Sequence, residues 1–468
     1  MAIIHVAAEC FPIAKVGGLA DVVGALPKYQ NQNNQKAEVI MPFYNVPFLH
    51  NHKFTTLYED ELPLNGKKYF FTIKQLKSDI GFPLYLVDIP ELLYTDYVYS
   101  KNDTLRFLAF QIATLKWITT WEMQPEVVHV HDHHTGLIPF MMTQCYQFDT
   151  LKMIPTVFTS HNAQYQGWFS HNHIEWIPKF DFSKVGLLDW DGTINPMAAA
   201  IKCAWAVTTV SPSYMEELKL KANGLEQLLQ HETAKSMGIL NGIDTEVWNP
   251  ETDNYLKKNY KKTSWTTGKR ANKNWLCENY DLDKERPLIA FIGRFVEDKG
   301  CDLFAELFSN YLSEVELSVI VLGSGNPKIE SELTQLNTAF KGKYHYVSGY
   351  NEALSHIIYA GADFLLMPSR VEPCGLNQMY SLRYGTIPIV NKVGGLKDTI
   401  VDYQEPNGFG IVMEEVSLTS IETAINRSLQ LFKNQLVVKQ IRNQIMKIDN
   451  SWLASARKYQ QLYKKLKK

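Results

Sequence analysis

Ala362-Asp363-Phe364-Leu365-Leu366-Met367 runs directly into Pro368-Ser369-Arg370-Val371-Glu372-Pro373-Cys374-Gly375-Leu376. The apolar run reads as a buried strand, the turn rich in Pro and Gly ends it, and a helical pattern follows. A turn between a parallel strand and a helix lies at the carboxyl edge of the sheet, where open α/β folds bind ligands. This one offers the Glu372 carboxylate and backbone N–H groups around Cys374, Gly375 and Leu376, a set suited to the hydroxyls of a polyhydroxylated ring. A further Gly-rich turn, Asn391-Lys392-Val393-Gly394-Gly395, follows it. Near the other end of the chain stands Lys15-Val16-Gly17-Gly18-Leu19. Turns so far apart in sequence suggest two half-sites facing each other across a cleft.

The second half alternates strand and helix cleanly. Apolar runs occur at Leu288–Ile292, Val319–Leu322, Tyr344–Val347, Phe364–Met367 and Ile387–Val390, with helical segments between them. Such alternation means a doubly wound parallel sheet. The first half opens with an apolar strand from Ile3 to Ala8, and a helix from Leu19 is expected to end or kink at Pro27. Residues 53–90 alternate apolar and polar about Asn65-Gly66 and read as an inserted antiparallel hairpin. A helical pattern spans Leu105 to Trp121, and short strands are expected at Val127–Val130, Thr156–Thr159 and Ala206–Val210. Asn-Gly, Asn-Pro and Asp cluster around 241–252. The expected organisation is therefore a first domain over 1–245, a second over 246–450, and a C-terminal amphipathic helix over 451–468 that crosses back to the first.

At 468 residues the chain is too long for one core. Its net charge of −2, from 47 basic and 49 acidic residues, gives no support for nucleic acid as the main partner. Six cysteines without a CxxC pair read as reduced thiols in a cytoplasmic protein. Glu9 interrupts the apolar start, so no signal peptide is expected, and no apolar run approaches the roughly 18 residues of a membrane span.

Lys15 with Gly17 and Gly18, ahead of a helix, has the makings of an anion site. Arg294 and Lys299, in Gly293-Arg294-Phe295-Val296-Glu297-Asp298-Lys299-Gly300, set two cations at a sheet edge, as a diphosphate leaving group requires. His129-Val130-His131-Asp132-His133-His134 invites a metal reading. However, His129 and His131 share a strand face while the rest fall in its turn, and no further ligand cluster completes a site. A polar site wall is the better reading, with Asp132 towards sugar or acceptor hydroxyls. Ser160-His161-Asn162 also ends an apolar run. The triplets Asp189-Trp190-Asp191 and Asp281-Leu282-Asp283 read as loops and helix caps rather than ligands of a metal–nucleotide complex.

Together these segments resemble the bacterial glycogen (starch) synthases, retaining glucosyltransferases of the GT-B fold. The matching stretches run from Lys15–Lys28 through His131–Gly136, Phe158–Gly167, Thr208–Ser213, Gly238–Pro250, Gly293–Gly300 and Ser348–Asp363 to Pro368–Thr399. The resemblance implies two Rossmann-like doubly wound domains facing across a deep cleft. It implies transfer of glucose from ADP-glucose or UDP-glucose to the non-reducing 4-hydroxyl of an α-1,4-glucan, without cofactor or metal. In that reading Lys15 and the Gly17 and Gly18 backbone bind the diphosphate or the glucose, with Asp21 beside them. Arg294 and Lys299 neutralise the phosphates, and Glu372 with the Cys374, Gly375 and Leu376 backbone holds glucose hydroxyls. Asp132, His161 and Asn162 border the reacting centre. Asn241 lies beside the sugar, Tyr350 stacks on the base, Asn377 is the candidate ribose contact, and Tyr165 and Trp168 are candidates for the acceptor channel. The chain departs from the family pattern with His133 where many members carry Trp and Ala198 where many carry Lys. Tyr380 stands where other retaining enzymes have a second Glu. Two alternatives remain: a GT-B transferase with a different acceptor, and a non-catalytic glucan-binding homologue.

Overall fold

The computed structural model describes residues 2–467; Met1 and Lys468, the outermost residues of the expected domains, lie outside them. The chain forms two compact units, one of residues 1–241 and 452–468 and the other of residues 242–451.

The first unit is built on a nine-stranded sheet. Its strands are β1 (Ile3–Val6), β2 (Ala37–Pro42), β3 (Phe54–Leu64), β4 (Lys67–Leu76), β5 (Leu84–Asp88), β6 (Val127–His131), β7 (Thr156–Ser160), β10 (Ala206–Thr209) and β11 (Ser236–Gly238), with a small separate hairpin of β8 (Asp189–Trp190) and β9 (Thr193–Ile194). The order is β11-β10-β7-β6-β1-β2-β5-β4-β3. All neighbours are parallel except β3/β4 and β4/β5. The central strands are buried throughout, their polar members His5, Glu38, His129, His131 and Thr159 included.

Two expectations are revised here. Only residues 54–76 form the antiparallel hairpin, turning at Asn65 and Gly66 with φ of 49° and 70°. Leu84–Asp88 pairs antiparallel with β4 on one side and parallel with β2 on the other, so the hairpin extends the main sheet. Helix α1 runs Gly18–Gln32 and so does not end at Pro27. Its buried face, including Val22, Leu26 and Tyr29, packs with Trp452, Ala456 and Tyr459 of the C-terminal helix Trp452–Leu466. That apolar burial outweighs the single backbone hydrogen bond Pro27 removes.

The second unit holds an all-parallel sheet of β12 (Leu288–Phe295), β13 (Ser318–Gly325), β14 (Tyr344–Ser348), β15 (Phe364–Met367), β16 (Ile387–Asn391) and β17 (Ile411–Met413). Its order, β14-β13-β12-β15-β16-β17, puts β12 beside β15, so the chain reverses direction across the sheet between them. Ligands gather at such a switch point, and the turns after β12 and β15 are those that carry Lys299 and Glu372.

Candidate active site: two half-sites at strand ends

In the first unit, Glu9 follows β1 and organises the loop that leads into α1. Its buried carboxylate accepts from the Val16 N–H at 2.5 Å and the Gly17 N–H at 2.9 Å, while the Tyr99 hydroxyl donates to its other oxygen. The Gly17 N–H expected to meet an anion is therefore already engaged, and Gly17 itself is extended (φ −140°) rather than left-handed. What the loop still presents is the first turn of α1, which has no side-chain cap, and the Lys15 ammonium. Lys15 is half exposed and pairs with Asp21 at 2.7 Å.

Asp132 ends β6 with φ 55° and ψ −179°, a conformation that costs a non-glycine residue about 1–3 kcal/mol. The turn delivers its buried carboxylate to the backbone of the next strand end, where Oδ1 accepts from the His161 N–H at 2.7 Å. Desolvation, only partly offset by hydrogen bonds from the His161 and Asn162 amides, pushes the Asp132 carboxyl up to about 7. His161 is pulled down to about 3 by burial and so is neutral. Asn162 folds back to accept from the Gln164 N–H at 2.9 Å. Beyond it, Tyr165 and Trp168 are exposed (62% and 67%) beside a hollow of about 300 Å³ that His133 and His134 also line. Asn241 contributes a buried Oδ1 with no hydrogen-bond partner among the described residues, a rare state for a buried acceptor. Ala198, the departure from the family pattern noted above, is buried in the helix Pro196–Cys203, its N–H capped by Asn195.

In the second unit the Lys299 ammonium lies 2.5 Å from Glu372 Oε2, and Ser369 Oγ donates to the same oxygen at 3.0 Å. Three packing devices hold that pair. Gly300 has φ 71°, and a Cβ there would sit 2.2 Å from the Pro368 carbonyl, so only glycine lets the Lys299 turn approach. Arg370 makes a bidentate pair with Asp302 at 2.7 and 2.9 Å and donates to the Glu297 carbonyl, tying the two loops together. Cβ atoms at Gly394 and Gly395 would lie 2.0 Å from the Glu372 and Cys374 carbonyls, so the second Gly-rich turn is the bed on which the Glu372 loop rests. Arg294 is exposed at the end of β12, and its guanidinium has no partner among the described residues.

Cys374 is buried and precedes Gly375 (φ 71°), and Leu376 caps the helix Asn377–Arg383. The Asn377 amide donates to the Ile292 carbonyl at 2.7 Å, which fixes that helix to β12 and leaves the side-chain carbonyl and the second amide N–H for a ligand. Tyr350 is 86% exposed after β14. Trp248 stacks on Tyr380 at 3.8 Å. The Asp-x-Asp triplets do not converge: Asp189 pairs with His171 at 2.6 Å, and Asp191 and Asp281 are turn residues at φ 52° and 51°.

Glu9, Tyr99 and Ser369 were missed at the sequence level. Glu9 did carry a signal, a lone acid immediately after the first strand. The partners of Tyr99 and Ser369 are set by packing and left no local trace.

Residues 2–231 match the family model for the starch synthase catalytic domain, and residues 276–444 match that for glycosyl transferases group 1. The chain is 46% identical over 467 residues to a glycogen synthase from Flavobacterium johnsoniae, covering 99% of this chain and 98% of the relative. It is 36% identical over 477 residues to one from Geobacillus stearothermophilus, covering 100% and 98%. Among solved structures, the catalytic domain of starch synthase IV from Arabidopsis thaliana, bound to ADP and acarbose, superimposes with a TM-score of 0.86 at 32% identity over 99% of both chains. A sucrose-phosphate synthase from Thermosynechococcus elongatus shares the fold at 15% identity and a TM-score of 0.63. With two doubly wound sheets and relatives matched from end to end, this GT-B chain belongs to the glycogen and starch synthase family of glycosyltransferases.

Proposed function

We propose that this protein is a glycogen synthase acting in the cytoplasm, which moves glucose from ADP-glucose to the non-reducing 4-hydroxyl of an α-1,4-glucan with retention of configuration. The observation that carries the reading is the Lys299–Glu372 contact at a sheet switch point. A carboxylate that accepts from sugar hydroxyls and an ammonium that meets a phosphate stand side by side, so the pair spans the hexose and the phosphate bonded to it in a sugar nucleotide. The ADP in the starch synthase IV relative favours adenine over uracil in the donor.

The reaction breaks the bond from C1 to the phosphate oxygen and forms one from C1 to the acceptor O4. The O4 proton passes to the departing β-phosphate on the same face of the sugar. Arg294, Lys299, Lys15 and the first turn of α1 stabilise the negative charge that develops on the diphosphate. Glu372 and the backbone at Cys374, Gly375 and Leu376 hold glucose hydroxyls, and the orphaned Asn241 carbonyl takes another. His161, neutral and backed by Asp132, lines the reacting carbon. Tyr350 covers the base, Asn377 faces the ribose, and Tyr165 and Trp168 guide the glucan.

Incubation with radiolabelled ADP-glucose or UDP-glucose and glycogen, with and without EDTA, tests the reading. The expected result is EDTA-insensitive incorporation, faster from ADP-glucose, released as glucose by an enzyme specific for α-1,4 bonds. Binding of glycogen without incorporation from either donor identifies the non-catalytic homologue. Incorporation only into a different acceptor identifies the other transferase.

A further inference from the structure

Behind the candidate site, the first unit buries a chain of polar side chains that the reaction does not touch. His5 on β1 and His129 and His131 on β6 are fully buried and stack on one face of the sheet. One ring nitrogen from each lies within 4.8 Å of the others, close enough to raise the question of a metal but wider than ligands sharing one ion. Yet every ring nitrogen has a protein partner. His5 Nε2 meets Gln30 Oε1 at 2.8 Å, His5 Nδ1 meets His131 Nε2 at 3.1 Å, and His131 Nδ1 meets His161 Nε2 at 3.0 Å. His129 Nδ1 meets the Tyr463 hydroxyl at 2.7 Å and His129 Nε2 meets Thr159 Oγ1 at 2.6 Å. Among the described residues no carboxylate touches the three rings to offset a dication, so the cluster is a hydrogen-bond chain rather than a metal cage.

The chain has a direction. Thr208 Oγ1 donates to the Phe158 carbonyl at 3.4 Å, and a carbonyl can only accept. Thr208 therefore accepts from Thr159, 2.5 Å away. Thr159 in turn accepts from His129 Nε2–H, so neutral His129 presents a bare Nδ1 to the Tyr463 hydroxyl. That hydroxyl donates to His129 and accepts from Gln30 Nε2 at 3.2 Å. Gln30 then offers its Oε1 to His5 Nε2–H. His5 Nδ1 is bare and accepts from His131 Nε2–H, and His131 Nδ1 is bare and accepts from His161 Nε2–H. Burial keeps each ring neutral: His5 falls to about 4, His161 to about 3, and His129 and His131 well below the ordinary histidine value.

We infer that Gln30, His5 and His131, clamped by Tyr463 of the C-terminal helix, are positioning residues that hold His161 as its Nε2–H tautomer. Only Nδ1 then remains for a ligand, and it is a lone pair. His161 accepts a hydrogen bond from a substrate hydroxyl and donates none. A flipped Gln30 amide reverses every link and turns that atom into a donor. This inference deepens the functional reading above and rests on it for the identity of the ligand, not for the tautomer.

The test is a long-range proton–nitrogen correlation spectrum of the full chain labelled with 15N-histidine, with His161 assigned by its loss in His161→Asn. The wild-type spectrum must show a protonated Nε2 and a bare Nδ1 at His161; a protonated Nδ1 overturns the inference outright. Gln30→Met removes the acceptor for His5, so a mixture of His161 tautomers is expected, with kcat down about tenfold and KM for ADP-glucose little changed. Gln30→Glu keeps an acceptor for His5 Nε2–H and is expected to restore the single tautomer. If Gln30→Met does not fold, Tyr463→Phe removes the clamp with the ring retained, and the same mixture is expected. An unaltered His161 signal in whichever variant folds overturns the inference. A wild-type protein with the stated tautomer but no glucosyl transfer refutes the functional reading and leaves the relay standing.

Discussion

Acid should unfold the first unit well before the second, because of the histidines it buries. His5, His129, His131 and His134 are each at most 7% exposed and held neutral by desolvation. In the unfolded chain each has the ordinary value of 6.5. A group whose folded pKa is depressed leaves the unfolded state binding more protons, so stability falls as pH falls through 6.5. Taking pH from 7 to 5.5 costs about 1.2 kcal/mol per such histidine, or about 5 kcal/mol for the four. The partly exposed His133 and His161, at about 4 and about 3, add to that loss. Asp132, raised to about 7, protonates in the folded state over this range and gives back about 1.6 kcal/mol. The net loss rivals the whole stability of a typical domain, about 5–15 kcal/mol. In the second unit His345 is the one histidine pulled below its ordinary value, and burial pulls Lys269 well below its own, so fewer groups there favour proton uptake on unfolding. Urea unfolding by circular dichroism at steps from pH 7.5 to 5.5 measures the slope, and hydrogen exchange assigns the transition to residues 127–161 or 288–391. At pH 5.5 an uptake of about four protons on unfolding the first unit is expected. An uptake of about one or less, or an equal acid response in both units, refutes the reasoning.

The other expected outcomes concern the site itself. Lys299→Ala and Glu372→Ala should each lower kcat at least about 100-fold, with unchanged circular dichroism, because each removes one side of the hexose–phosphate contact. Glu9→Ala releases the Val16 and Gly17 amides, so the loop loosens and KM for the donor should rise about tenfold; an unchanged KM contradicts the role given to Glu9. Asp132→Asn removes a carboxyl whose folded pKa is raised, and so whose favourable contribution is lost as pH rises from its ordinary 3.8 towards 7. The variant should melt higher than wild type at pH 8, the gap closing near pH 5, while turnover falls about 100-fold. Gly395→Ala drives a methyl to 2.0 Å from the Cys374 carbonyl; a loss of about 1–3 kcal/mol of stability and a raised KM are expected from calorimetry and kinetics.

Much of the fold was legible because parallel strands are buried on both faces. The runs at 288–292, 319–322, 344–347, 364–367 and 387–390 each fall on a strand of the second sheet. Ser236–Gly238 and Ile411–Met413 left no such run, being three residues each at sheet edges. Pro27 misled because its local cost is small beside the burial of α1 against a helix more than 400 positions away in sequence. The motifs located the turns around Lys15, Asp132, Lys299 and Glu372, but not what holds them. The Glu9–loop contact depends on the fold of a turn. The His5–His131 contact depends on β1 pairing β6 across 126 residues, which no local pattern encodes.

The central claim is that a sugar nucleotide is pulled apart between Lys299 with Arg294 and the Glu372 loop. Its most direct test is the initial rate of glucose incorporation into glycogen from radiolabelled ADP-glucose by the wild-type chain, Lys299→Ala and Arg294→Ala side by side. Robust incorporation by the wild type, lost in both variants with glycogen binding intact, is the predicted result. Normal turnover in both variants contradicts the account.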